Sequence, residues 1–207
     1  MTTKIKFCGI TRPEDLQAAI ALDIYAIGLV FYPPSPRAVD VNVAKLLSQQ
    51  CPPVITRVGL FMNQDARTIE RVLQEVELDM LQFHGEEDEA FCNSFGKPYL
   101  KSIAMGSEHD LSKTEEYATA SAFILDSNEI GKPGGSGKAF DWKKIPEQFN
   151  KPIILAGGLT PENVADAICK VRPFAVDVSS GIELEKGIKD ISKMKQFVEA
   201  VRAQDEC

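Results

Sequence analysis

Hydrophobic and polar positions along this chain rise and fall in a repeated order: a short apolar run, a turn, then an amphipathic segment. The apolar runs predict strands at 4–8, 25–31, 54–62, 79–84, 98–104, 121–126, 152–156 and 174–178. The amphipathic segments predict helices at 13–22, 40–50, 65–76, 87–95, 110–119, 141–148, 161–170 and 190–203. In 65–76 the apolar residues Ala66, Ile69, Val72, Leu73 and Val76 form one helical stripe. Helix starts carry their own chemistry. Thr11 and Glu14 fit a capping box with Pro13 in the first turn, and Thr160-Pro161 predicts an N-cap followed by a first-position proline.

Strict strand–helix alternation implies a parallel sheet, because parallel neighbours need a long crossover between them. Eight units in sequence predict an α/β fold of one kind, a closed (β/α)₈ TIM barrel of compact size. An open doubly wound sheet is the alternative. It usually has fewer strands, and no dinucleotide fingerprint follows the first strand here. No linker composition divides residues 1–207, which reads as a single domain. A barrel also says where to look for function: at the C-terminal strand ends and the loops after them.

Composition narrows the ligand classes. The chain has 207 residues and a net charge of -7, which speaks against a broad nucleic-acid surface or an anionic membrane surface. An anionic ligand then requires local positive potential, from a few arginines or from helix N-termini. Five cysteines (Cys8, Cys51, Cys92, Cys169, Cys207) are odd in number and widely spaced, without a CxxC or zinc pattern. A reduced, cytoplasmic setting is expected rather than a disulfide framework. No window of 18 consecutive apolar residues appears and the start lacks a signal-peptide core, so no membrane partner is expected.

The barrel rule selects the candidate residues. Cys8 ends the first strand and shares a face with Lys4 and Lys6, and Gly9 bends the chain just after it. As a catalytic thiol, Cys8 needs a lowered pKa, and Lys6 offers positive charge. As a structural residue, Cys8 is a small buried hydrophobe and Lys6 a buried ion-pair member. Asp126 ends the sixth strand on the face of Ala122 and Ile124. It is either a turn-capping aspartate or a carboxylic acid whose pKa an apolar surround raises for proton donation.

The stretch 127–138 is rich in glycine and reads as a flexible loop or a lid over the mouth. It is not a Walker A loop, because Ala139 follows Lys138. Gly157-Gly158 follows strand seven and Ser180-Gly181 follows strand eight, the two turns with which barrels often bind phosphate. Arg37 lies in a proline-rich loop after strand two, suited to a carboxylate if held at the mouth and otherwise a solvated loop residue. Gln82 and His84 share a face at the end of strand four, and Asp177 lies near the end of strand eight. A metal site is a weak competing reading, since there are two histidines and His109 sits in a polar loop.

Taken in order, Lys6-Phe7-Cys8-Gly9-Ile10-Thr11, Ser35-Pro36-Arg37, Leu81-Gln82-Phe83-His84-Gly85 and Asp126-Ser127 match one known pattern. It continues through Gly134-Gly135-Ser136-Gly137, Phe140-Asp141-Trp142, Leu155-Ala156-Gly157-Gly158-Leu159 and the run Val176 to Glu183. The ordered set resembles the phosphoribosylanthranilate isomerases of tryptophan biosynthesis. Phe7, Phe83 and Ser136 depart mildly from the family's usual Ile, Leu and Thr. The resemblance implies a barrel enzyme that works without a cofactor and performs an Amadori rearrangement of a phosphorylated small-molecule substrate. It implies Asp126 as general acid and Cys8 as general base. It further implies Arg37 for the anthranilate carboxylate, the Gly157-Gly158 and Ser180-Gly181 turns for phosphate, and Asp177, Gln82 and His84 around the ribose and pocket. A monomer or a homodimer is expected.

Rival readings have handles in the sequence. A pentose-phosphate epimerase needs metal-binding histidines that are lacking. The related histidine-pathway isomerase usually carries aspartate in both acid and base positions, against which Cys8 speaks. A non-catalytic phosphate-binding barrel needs neither Cys8 nor Asp126, and a thiol redox protein needs a resolving cysteine near Cys8.

Overall fold

The computed structural model describes residues 2–106, 111–127, 140–146 and 149–204. Its eight principal strands are β1 (Lys4–Cys8), β2 (Ala26–Val30), β3 (Thr56–Phe61), β4 (Met80–Phe83), β5 (Tyr99–Ala104), β6 (Ala122–Asp126), β7 (Ile153–Leu155) and β8 (Ala175–Val178). Each lies within two residues of its predicted span at either end. They pair in parallel in chain order, and β8 returns to β1, which closes the (β/α)₈ barrel and leaves no edge. The closing register sets Lys6 beside Asp177, and the next seam sets Cys8 beside Gly28.

Helices α1 (Pro13–Ala21), α2 (Val41–Gln50), α3 (Ala66–Glu75), α4 (Glu89–Asn93), α5 (Val164–Val171) and α6 (Ile191–Arg202) cover the outside. The stripe read in α3 buries Ile69 and Val72, and Asp65 caps its start by accepting from the Thr68 amide at 2.8 Å.

Among the described residues, two predicted helices shrink to single 3₁₀ segments. Within 110–119 only Leu111–Glu116 is helical, because the segment offers no apolar stripe to hold an α-helix on the sheet. Within 141–148 the 3₁₀ turn ends at Trp142–Lys144, just ahead of Pro146, which supplies no N–H to continue it. Residues 107–110 and 147–148 lie outside the described residues.

Two predicted caps also move. Arg12, not Thr11, is the N-cap of α1 and makes no side-chain cap, while the Thr11 hydroxyl donates to the carbonyl of Gly187 at 2.5 Å. α5 starts at Val164 with Asn163 ahead of it, rather than at Thr160-Pro161. Asn163 instead accepts from the Thr160 amide and donates to the Gly158 carbonyl, both at 2.8 Å, and so ties down the turn after β7.

After β8 comes an element the pattern did not suggest, the small hairpin β9 (Glu183–Glu185) and β10 (Ile188–Lys189). Its signal was the Lys186-Gly187 pair between alternating residues, where Gly187 adopts a φ of 85°.

Side chains pack in two shells. Inside the barrel lie Ala26, Val58, Leu100, Ile124 and Ile154. Between sheet and helices lies a larger apolar layer, in which the Phe83 ring meets Phe61, Phe91, Phe95 and Tyr99. At the N-terminal end, Arg57 at the start of β3 forks onto Asp79 with two bonds of 2.8 Å and reaches Glu77 at 2.9 Å. Among the described residues no helix is long and apolar enough to cross a membrane.

Candidate active site

The sequence of β1 is polar where a barrel interior is usually apolar. Lys6 and Cys8 alternate onto the inner face, and both are buried. An ammonium in such a place needs a partner, and the Lys6 Nζ meets Asp177 Oδ1 at 3.0 Å. Gly28, the register neighbour of Cys8, makes room for this arrangement: a Cβ there would fall 2.8 Å from Cys8 Sγ and 3.2 Å from Lys6 Nζ. Lys6 is therefore both the ion-pair member and the cation beside the thiol. Burial nevertheless dominates at Cys8 and pushes the thiol up, with Lys6 and Lys189 pulling against it. The lowered pKa expected from the sequence is not that of the resting site.

Asp126 ends β6 and is buried at the same mouth. Its backbone carbonyl accepts from the Met105 amide at 2.7 Å, which links the ends of β5 and β6. The glycine-rich segment that follows, with its proposed lid and the Gly134-Gly135-Ser136-Gly137 motif, lies outside the described residues from 128 to 139. So does His109.

Arg37 is not a solvated loop residue. Tight bonds within the loop fold it back, with the Ser35 amide donating to the Tyr32 carbonyl at 2.9 Å and the Ala38 amide to the Ser35 carbonyl at 3.0 Å. The guanidinium then forks onto Glu183, Nε to Oε1 and Nη2 to Oε2, each at 2.7 Å. Gly9 gives it space, since a Cβ there would lie 2.7 Å from Arg37 Cδ. Lys189 also reaches Glu183, at 3.0 Å. Burial opposes the Glu183 carboxylate, but the bonds from Arg37 and Lys189 outweigh it and hold the carboxyl below its usual range.

On β4, Gln82 Nε2 donates to the Ser102 hydroxyl at 3.2 Å, and that hydroxyl lies 3.0 Å from His84 Nδ1. The Ser102 hydroxyl thus joins the two side chains, and which of the hydroxyl and the imidazole donates follows the tautomer of His84. Burial pulls His84 down to about 4, so the ring is neutral near pH 7. Gln82 Oε1 is buried with no hydrogen-bond partner among the described residues.

The turns after β7 and β8 touch. Gly157 and Gly158 adopt φ of 83° and 66°, a region where a side chain is strained, and a Cβ on Gly157 would collide with Ser127. Gly181 packs so closely on the Leu159 carbonyl that no side chain fits there either.

One cleft joins these pieces. It is lined by nine of the ten residues singled out from the sequence: Cys8, Arg37, Gln82, His84, Asp126, Gly157, Gly158, Asp177 and Ser180. Gly181 does not line it but supports the turn after β7 from behind. The wall over β2 and β3 is apolar, with Val30, Leu60 and Met62. Sequence reasoning missed Gly28, Ser102, Glu183 and Lys189. Gly28 and Ser102 sit mid-strand without a local signal. Glu183 and Lys189 belong to the unpredicted hairpin. No group of three or more His, Cys, Asp or Glu among the described residues is placed to hold a metal ion.

Such a site can bind a phosphate at the paired glycine turns and an anionic aryl group at the Arg37 wall. A thiol and a carboxyl stand at the mouth with them. Comparison with known proteins places the chain in a family. The family model of N-(5'phosphoribosyl)anthranilate (PRA) isomerase matches residues 5–200. The N-(5'-phosphoribosyl)anthranilate isomerase of Nitrosococcus oceani is 52% identical over 202 residues, covering 97% of this chain and 98% of that protein. The crystal structure of the Thermotoga maritima phosphoribosyl anthranilate isomerase superposes with a TM-score of 0.90 at 36% identity, covering 98% of this chain and 100% of that one. A structure of such an isomerase in complex with reduced 1-(o-carboxyphenylamino)-1-deoxyribulose 5-phosphate matches with a TM-score of 0.82 at 33% identity, covering 98% of this chain and 100% of that one. On the combined weight of sequence, fold and site, the chain belongs to the phosphoribosylanthranilate isomerase family.

Proposed function

We propose that this chain is a single-domain, cytoplasmic enzyme of tryptophan biosynthesis that converts N-(5-phosphoribosyl)anthranilate to 1-(2-carboxyphenylamino)-1-deoxyribulose 5-phosphate, acting as a monomer or homodimer without a cofactor. The observation that carries the residue roles is the meeting of Cys8, Asp126, Arg37 and the two glycine turns in one cleft.

The reaction runs in two proton transfers. Asp126 donates its proton to the furanose ring oxygen. The C1′–O bond breaks as the nitrogen lone pair moves in, giving an open-chain hydroxyl and a cationic iminium. Cys8, as thiolate, then removes the proton from C2′, and the C–H electrons move to the iminium nitrogen to give a neutral enolamine. Tautomerisation of the enolamine yields the ketone. A carboxyl at the mouth suits the first step as a general acid. For the second step the iminium matters twice. It acidifies C2′–H, and its positive charge favours the thiolate that burial disfavours.

The phosphate binds the amides of the turns after β7 and β8, whose glycines let an anion approach the backbone. The anthranilate ring lies on Val30, Leu60 and Met62 with its carboxylate on Arg37. Gln82 Oε1 accepts from a ribose hydroxyl, which gives that buried oxygen a partner. Asp177, held by Lys6, faces the ribose, and His84 lines the pocket with a neutral ring.

The test is turnover of phosphoribosylanthranilate by wild type, Cys8→Ser and Asp126→Asn. Each variant is expected to lose about 10²–10⁴-fold in kcat with the fold unchanged by circular dichroism. An inactive wild type, or near wild-type kcat in both variants, overturns the assignment.

A further inference from the structure

Arg37 is held by a charged cluster whose composition is unusual for a buried ion pair. Its members are Arg37, Glu183 and Lys189, all at most 7% exposed. Two cations face one anion, so the cluster carries one surplus positive charge. Glu183 and Lys189 come from the two strands of the β9–β10 hairpin, which is clamped over the loop that carries Arg37. The Lys189 amide donates to Asp15 Oδ2 at 3.2 Å, and Gly187 packs against the Pro36 carbonyl. The Lys193 Nζ donates to the Glu183 carbonyl at 2.8 Å and fixes the first strand of the hairpin to α6.

The hydrogen-bond geometry assigns the charges. Lys189 Nζ meets three acceptors, Glu183 Oε1 at 3.0 Å, the Ser179 carbonyl at 3.1 Å and the Ser179 hydroxyl at 3.4 Å. Three acceptors match the three donors of an ammonium. The fork on Glu183 uses Arg37 Nε and Nη2. No described residue bonds to Nη1, and Arg37 lines the cleft. An isolated Arg–Glu fork would be neutral and a poor magnet for an anion. With Lys189 on the same carboxylate, the negative charge is cancelled from behind and the guanidinium keeps its own.

We propose that Glu183 and Lys189 are positioning residues for Arg37: Glu183 fixes the guanidinium plane, and Lys189 neutralises Glu183 so that the surplus charge is delivered to the carboxylate of the substrate's aryl group. The inference rests on the reading of Arg37 as the aryl-carboxylate site. It assigns the discrimination between carboxylated and uncarboxylated aryl amines to two residues that do not touch the reacting atoms.

The experiment compares two substrates, phosphoribosylanthranilate and the N-phosphoribosyl derivative of aniline, which lacks the carboxylate. Steady-state kinetics are measured for wild type, Lys189→Met, Lys189→Arg, Arg37→Met and Glu183→Ala. Lys189→Met is expected to raise KM for the carboxylated substrate by about tenfold, with kcat changed less than about threefold. On the aniline substrate the same variant shifts KM by less than about threefold. Lys189→Arg restores the wild-type KM. Glu183→Ala, which frees the guanidinium plane, raises KM for the carboxylated substrate by about tenfold and leaves KM for the aniline substrate within about threefold. An equal KM rise on both substrates, or an unchanged KM in Glu183→Ala, overturns the proposal. So does an unchanged KM in Lys189→Met while Arg37→Met raises it. If Arg37→Met leaves KM for the carboxylated substrate unchanged, the Arg37 reading itself fails, and this proposal with it.

Discussion

Two arginines of this barrel make the same fork and end in opposite roles. Arg57, at the foot of the barrel, places two bonds on Asp79 and a third on Glu77. One cation there faces two anions, every edge of the guanidinium is taken, and both carboxylates are well exposed. Arg37, at the mouth, also places two bonds on a carboxylate, but its neighbour is a second cation and one edge is left over. The foot is a closed arrangement that pins a strand start. The mouth is an arrangement with a charge to spare, facing a cleft. Geometry of the pair alone does not separate the two; the sign of the third group does.

The contrast can be broken most severely at the mouth. Gly28→Ala puts a methyl 2.8 Å from Cys8 Sγ and 3.2 Å from Lys6 Nζ. Displacing the base by even a fraction of an ångström should lower kcat/KM by about a hundredfold, and steady-state kinetics beside a thermal melt will separate this from unfolding. Gly96→Ala, where a Cβ meets nothing within 4 Å but the φ of 62° strains a side chain, lowers stability and leaves kcat/KM unchanged, and so shows what loss of stability alone does to activity.

A pH series sharpens the contrast at intermediate size. His84 is pulled from 6.5 to about 4 by burial, so the unfolded chain takes up its proton first. The stability due to keeping the ring neutral is fully present above about pH 6.5 and is lost as pH falls toward 4. Denaturant melts should therefore weaken over that window in wild type and lose this slope in His84→Gln. A slope that survives the substitution locates the titration elsewhere. At the foot the window is different. The bonds from Arg57 outweigh burial and hold Asp79 below its ordinary 3.8, so its contribution persists to lower pH and is lost only as pH falls beneath that value.

The smallest effect belongs to Arg57 itself. Arg57→Met should leave kcat and KM unchanged and lower stability by about 0.5–1 kcal/mol at neutral pH, the range of a solvent-screened pair. The difference from wild type in urea melts should vanish in acid once Asp79 is protonated. A change in KM would mean that foot and mouth are coupled.

What the sequence could reveal follows the range of each interaction. The strands were legible because an apolar run and its turn are local, and Cys8 and Asp126 followed because each is the last residue of such a run. The glycines after β7 and β8 were legible for the same reason. Lys6 was left with two readings because its partner, Asp177, is 171 residues away and is brought beside it only by barrel closure. Arg37 was read without Glu183, which lies 146 residues on, in a hairpin of five strand residues that leaves hardly any periodicity. The two lost helices were a matter of local chemistry given too little weight. Pro146 stops one, and the other has no apolar stripe to anchor it. The cap expected at Thr11 failed because its hydroxyl found a tertiary partner, and the one at Thr160 because the Asn163 side chain holds the Thr160 amide in a turn ahead of α5.

The β9–β10 hairpin has a consequence for the time at which this protein becomes active. Asp15 meets Lys189 across 174 residues, and Lys6 meets Asp177 across 171. Contacts of such span are the slow ones in folding, since closing long loops is entropically costly and nothing compensates until the ends have met. A growing polypeptide released from its synthesis at residue 170 would have Cys8, Asp126 and both glycines of the turn after β7, yet no counter-ion for Lys6 and nothing to aim Arg37. Turnover is thus a reporter of completion. Maturation of the enzyme and closure of its barrel are one event, timed by the segment that holds β8 and the β9–β10 hairpin.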